Sequence, residues 1–281
     1  MKFRIRSLKM FLFLLPCFSY AEEIVVDATT FPNAEILEAT KPILAKKGYE
    51  LKINHYTSYN DPSIIMPRLN NLGSKNNPNT ELVNKHCDAN FFQHLPYLNQ
   101  YNMVFKSDLV SAGGVFYVPF ALYLNKTRTA IFKKTHDLSQ ALKGARIAIP
   151  DNSINETRAI KMLANNKILG FNQKNSTPGL DDVESNTYGV IIYKVDSAVM
   201  PQVLNNADAV VMNVANAEIS GIHLNQATLI ESSPIEYANI LVSRKDNVNS
   251  AKIKALNQAL HSKEVQTFIQ NKYGNLVIPV F

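Results

Sequence analysis

The chain has 281 residues, 46% hydrophobic and 19% charged, a composition that fits a folded soluble protein and excludes a disordered or largely membrane-embedded one. Its formal charge is +6, but Lys2, Arg4, Arg6 and Lys9 supply four of those charges. No later basic patch interleaves with aromatics, so no nucleic-acid partner is expected.

Residues 1–21 read as a signal peptide: a basic start, the short apolar run Met10–Leu15, then Ser19-Tyr20-Ala21 at the cleavage position. Cys17 offers an alternative, lipid attachment, although Pro16 before it does not suit such a site. Either route places the mature protein outside the cytoplasm, soluble or membrane-anchored through Cys17. Cys87 is then the one cysteine of the folded part, or one of two if Cys17 is kept. With no zinc spacing and no Gly-rich phosphate loop, neither metal nor cofactor is expected.

Ile24–Ala28 is a short apolar run of the buried-strand type. Ala34, Ile36, Leu37, Thr40, Ile43 and Leu44 then recur at helical spacing up to Gly48, and Tyr49–Ile53 alternates as a second strand. This is a βαβ unit, which places ligands at the carboxyl ends of its strands. Tyr59, in the loop after the second strand, is therefore a candidate cleft residue or a surface tyrosine. Asn71–Thr80 has loop composition and makes the Asn70–Lys85 stretch long for a compact domain.

Asp88–Leu98 follows, with two phenylalanines, a glutamine, a histidine and a tyrosine in close order. A strand end that rolls into a helix near Pro96 would aim Phe92, His94 and Tyr97 at one spot. A core strand with a satisfied histidine is the other reading. Val115–Leu124 is an extended segment leaving the first lobe, Leu138–Leu142 a short helix and Ala145–Pro150 a strand.

Asp151–Glu156 caps a helix whose apolar face continues through Ile168 and Leu169 to Gly170. The strand-turn-helix pattern of the first lobe thus repeats, as in a clamshell of two lobes. Arg158 in the first turns of this helix faces either the inter-lobe cleft or solvent. Ala207–Asn213 and Tyr237–Val242 are strands, each with an asparagine near one end, Asn213 and Asn239. Such asparagines offer donor and acceptor together, or simply make a turn. Residues 251–273 are one or two packing helices.

The run DANFFQHLPYL resembles the signature of the methionine-binding lipoproteins, the solute-binding components of bacterial methionine ABC importers. Phe31–Leu37, Ile149–Ala159, Asp208–Asn213 and Tyr237–Ile240 are similar to further motifs of that family, in the same order. The resemblance implies an α/β, two-lobed periplasmic binding protein with the ligand between lobes. Lobe 1 would comprise residues 22–118 plus 237–281, and lobe 2 residues 119–236. It implies that Tyr59, Phe92, His94 and Tyr97 form the first-lobe wall, while Arg158, Asn213 and Asn239 hold an amino-acid head. The implied partners are methionine or a close analogue, and an ABC permease with its ATPase; a monomer is expected. Relative to the family, the Asn70–Lys85 stretch is an insertion. Ala215 and Asn216 stand where a polar residue and an aromatic are usual.

The chemistry agrees. A buried amino acid needs both charges paired. Arginine can grip a carboxylate with two parallel bonds, and aromatic rings suit a thioether. The alternatives are an exported enzyme using His86, Cys87 or His94, and an adhesin or antigen that keeps the binding-protein fold.

Overall fold

The computed structural model describes residues 21–56, 77–232 and 235–281. Tyr59, Cys17, nearly all of the signal peptide and residues 57–76 lie outside the described residues. No described helix is long and apolar enough to cross a membrane.

The first half opens with β1 (Glu22–Thr29), α1 (Glu35–Ala45) and β2 (Tyr49–Tyr56). β1 alternates Ile24, Val26 and Ala28, all fully buried, against Ile36, Leu37 and Leu44 of α1. Gly48, with φ +81°, turns the chain from α1 into β2. Next come α2 (Pro78–Val83), β3 (Ala89–His94), α3 (Leu95–Phe105) and β4 (Val110–Tyr117). The second half starts with β5 (Phe120–Leu124), α4 (Lys126–Thr135), α5 (Leu138–Leu142), β6 (Arg146–Pro150) and α6 (Ser153–Asn165). It continues through β7 (Leu169–Phe171), β8 (Val183–Asn186), β9 (Ile191–Val195), α7 (Met200–Val203), β10 (Ala209–Asn213), α8 (Val214–Ile219) and β11 (Ala227–Ile230). β12 (Asn239–Ser243), α9 (Ala251–Leu260), α10 (Lys263–Tyr273) and β13 (Ile278–Pro279) complete the chain.

Two main sheets result. One has the order β13-β4-β12-β3-β1-β2, the other β11-β5-β10-β6-β9. β1 runs parallel to β2 and β3, and β6 runs parallel to β9 and β10, as crossover connections require. The second sheet has its own core, in which Ile147, Ile149 and Val211 pack with Ile160 and Leu163 of α6. The chain leaves the first sheet after Tyr117, enters the second at Phe120, and returns between Ile230 and Asn239.

Several expectations need correction. Pro78–Thr80 is not loop but the start of α2, where Asn77 accepts the Asn79 N–H as N-cap and Pro78 occupies the first turn. α6 stops at Asn165, because Lys167 adopts a left-handed φ of 60° and Leu169 begins a strand. Tyr237 lies in a short turn, and its strand starts at Asn239. Leu95, read from its run as a packing residue of the first lobe beside Phe91 and Leu98, is 42% exposed on α3, whereas those two are buried. His86 and Cys87, read from the sequence as neighbours in one strand, sit on the bend before β3.

Candidate ligand-binding site

A cavity of about 100 Å³ lies where the carboxyl ends of β1, β3, β6 and β10 meet. Residues of both sheets line it. From the first sheet come Thr29, Phe92, His94 and Asn239, with Tyr97 from α3. From the second half come Arg158 of α6, Met200 and Met212, and the asparagines 152, 155, 213 and 216. The expected Phe92, His94, Tyr97, Arg158, Asn213 and Asn239 are thus brought to one place.

β3 ends on His94, which is also the N-cap of α3, so strand period and helix start combine as the sequence suggests. The Phe92 and Tyr97 rings meet edge to face at 5.8 Å, and His94 lies 5.2 Å from the Tyr237 ring. His94 Nδ1 accepts the Tyr97 N–H at 3.3 Å, which leaves Nε2 to carry the ring proton. Burial, and then the nearby Arg158 guanidinium, lower its pKa to about 3. His94 is therefore neutral at physiological pH.

Arg158 is only 2% exposed, yet it is not a free fork. Its Nε donates to both Glu231 oxygens at 2.9 and 3.0 Å, and Nη2 donates to Glu231 Oε2 at 2.6 Å and to the Val118 carbonyl at 2.8 Å. Phe120 and Tyr237 flank the guanidinium, with ring centroids 4.1 and 4.6 Å from Cζ. Glu231 Oε2 also accepts from Tyr117 Oη at 2.5 Å and from the Phe120 N–H at 2.9 Å. Burial alone would lower the Arg158 pKa, but the Glu231 carboxylate outweighs it and the net shift is upward. The two-pronged edge expected to face a ligand carboxylate is thus held by Glu231. Nη1 takes part in none of these four bonds, and the Tyr117 hydroxyl also lies against the guanidinium.

The asparagines differ from expectation in a similar way. Asn213 Oδ1 caps α8 by accepting the Ala215 N–H at 2.8 Å, because the strand ends where the helix needs a cap. Asn239 Oδ1 accepts from Asn33 Nδ2 at 3.3 Å, and Asn33 in turn accepts from Thr29 Oγ1. Both carbonyls are engaged, so each offers the cavity chiefly its amide N–H groups.

Sequence reasoning missed Glu231, Asn155 and Tyr237 as site residues, and met Asn216 only as a departure from the family pattern. Glu231 has no periodic neighbours to mark it. Asn152 and Asn155 were legible only as helix-cap residues.

His86 is exposed and bonds Glu81 at 2.6 Å, while Cys87 is buried and burial pushes its thiol pKa up. No group of described His, Cys, Asp or Glu could hold a metal ion.

The NlpA lipoprotein family model matches residues 24–281. The chain belongs to the NlpA lipoprotein family. It is 36% identical over 267 residues to methionine-binding lipoprotein MetQ of Bacillus subtilis, covering 92% of this chain and 88% of that one. A periplasmic substrate-binding protein of an ABC transporter from Coxiella burnetii superimposes with a TM-score of 0.77 at 28% identity, covering 92% of this chain and 100% of that one. A nutrient binding protein from Burkholderia cenocepacia, solved bound to methionine, gives the same TM-score at 25% identity with the same coverage. This NlpA-family chain therefore has the α/β, two-lobed fold of the periplasmic substrate-binding proteins.

Proposed function

We propose that this protein captures methionine, L- or D- or a close analogue, outside the cytoplasm and delivers it to an ABC permease and its ATPase, acting as a monomeric binding protein and not as an enzyme. Residues 22–118 plus 237–281 form lobe 1 and residues 119–236 form lobe 2 in this reading, so the cavity lies between lobes. Signal-peptide cleavage or lipidation at Cys17 would hold the protein in the periplasm or at the inner membrane.

The observation that carries the reading is the mixed lining of one cavity. It holds a buried guanidinium and the amides of Asn213 and Asn239, a donor set suited to a carboxylate. The same lining holds Phe92, Tyr97, Met200 and Met212, a polarizable set suited to a thioether. Tyr59, outside the described residues, would complete that set, and His94 would join it as a neutral ring.

Isothermal titration with a panel of amino acids tests this, with methionine expected to bind most tightly. Arg158→Lys keeps a cation for Glu231 but withdraws Nη1. A lost hydrogen bond to a charged group is worth roughly 1.5–3 kcal/mol, so affinity should fall on the order of 10- to 100-fold. Unchanged affinity would remove Arg158 from the binding role.

A further inference from the structure

Asn216 was expected only as a departure from the family pattern, yet it stands apart from every other asparagine of the cavity. It is 5% exposed and lies on the cavity wall, between Ala215 and Ala217, both fully buried. Its Nδ2 donates to the Ser197 carbonyl at 3.4 Å, which fixes the amide orientation. Its Oδ1 is buried and has no hydrogen-bond partner among the described residues. A buried acceptor without a donor is costly, and native proteins leave few of them.

The other side-chain carbonyls around the cavity are occupied. Asn152 Oδ1 accepts the Asn155 N–H at 2.9 Å, Asn213 Oδ1 the Ala215 N–H, and Asn239 Oδ1 the Asn33 amide. The Asn155 side chain is set beside the His94 ring, toward which it acts as an acceptor. Glu231, the nearby carboxylate, is neutralised by Arg158 and further engaged by Tyr117 and the Phe120 N–H. A zwitterionic ligand brings an ammonium as well as a carboxylate, and the ammonium needs acceptors once it leaves water.

We propose that Asn216 Oδ1 is the acceptor for the ligand's α-ammonium group, and that this residue makes the site select amino acids over the corresponding desamino acids. This rests on the amino-acid reading above, but not on methionine being the ligand.

The test uses the full-length mature protein and whichever amino acid of the titration panel binds it most tightly, beside the desamino acid of the same side chain. The wild type should prefer the amino acid. Asn216→Leu should weaken the amino acid about tenfold or more and leave the desamino acid unchanged. Asn216→Asp, which keeps an acceptor of the same shape and adds charge, should hold the amino acid at least as tightly and bind the desamino acid less well. A wild type that binds both alike, or an Asn216→Leu protein that loses both equally or neither, overturns the proposal. A tightest ligand other than methionine overturns the methionine reading and leaves this one standing. If Asn216→Leu does not fold, the wild-type preference and the Asn216→Asp pair still decide.

Discussion

His94 has Nδ1 committed to a backbone N–H and its ring deeply buried, and this decides how the site responds to pH. Nδ1 must stay unprotonated to accept the Tyr97 N–H, and a second proton would put a cation near buried Arg158. The folded pKa of about 3 is below the ordinary value near 6.5. Between those values the unfolded chain binds the extra proton and the folded one does not. Stability from this residue is therefore fully present above about pH 6.5 and is lost as pH falls toward 3. Ligand affinity should be flat from about pH 5.5 to 8, since His94 does not titrate there. His94→Asn, which keeps a cap acceptor, should lessen the acid-side fall in urea-unfolding free energy relative to wild type. An affinity that changes tenfold across that neutral range would show His94 ionising near pH 6.5 after all.

At the scale of elements, α2 is attached to β3 by a closed amide network. Asn79 Nδ2 donates to Gln93 Oε1 at 3.0 Å, and Asn79 Oδ1 accepts from Asn90 Nδ2 at 2.8 Å and from Gln93 Nε2 at 2.5 Å. All three side chains are at most 4% exposed. Asn79→Ala would leave Gln93 Oε1 without a donor, at about 1–3 kcal/mol for a buried group left unpaired, while Asn90 Nδ2 keeps the Pro78 carbonyl and Gln93 Nε2 keeps Asn90 Oδ1. The denaturation midpoint should drop with an unchanged m-value; an unchanged midpoint would mean that water or residues outside the network replace Asn79. This network also explains what the sequence hid. Helical spacing revealed α1, because Ile36, Leu37 and Leu44 share a face, and a short apolar run revealed β1, whose Ile24, Val26 and Ala28 are buried. α2 was masked by its own caps, since Asn77, Pro78 and Asn79 have the composition of a loop. β8 is exposed along most of its length and shows no alternation to read. Phe92, His94 and Tyr97 were legible because one short run carries them, whereas Glu231 meets Arg158 from 73 residues away. No local pattern can announce such a partner.

Across the whole molecule, the Arg158–Glu231 pair joins both places where the chain passes between the sheets. Arg158 bonds the Val118 carbonyl on the outward passage. Glu231, at the start of the return passage, bonds the Phe120 N–H through its side chain, and its own N–H donates to the Phe120 carbonyl. The same guanidinium lines the cavity, so ligand contact and the connection between sheets share one side chain. Two effects can be separated by substitution. Glu231→Gln leaves a buried guanidinium uncompensated and should cost about 3–5 kcal/mol in unfolding free energy. Replacing both residues, as Arg158→Met with Glu231→Met, removes both charges, and exchanging a buried ion pair for apolar side chains is often neutral or stabilising. The double variant should therefore recover most of the lost stability, read by chemical denaturation, while remaining unable to bind the amino acid by titration. Stability that stays low in the double variant would show that the bonds to Val118 and Phe120, rather than charge balance, hold the two passages together. Recovered binding would show that the ligand head does not use Arg158.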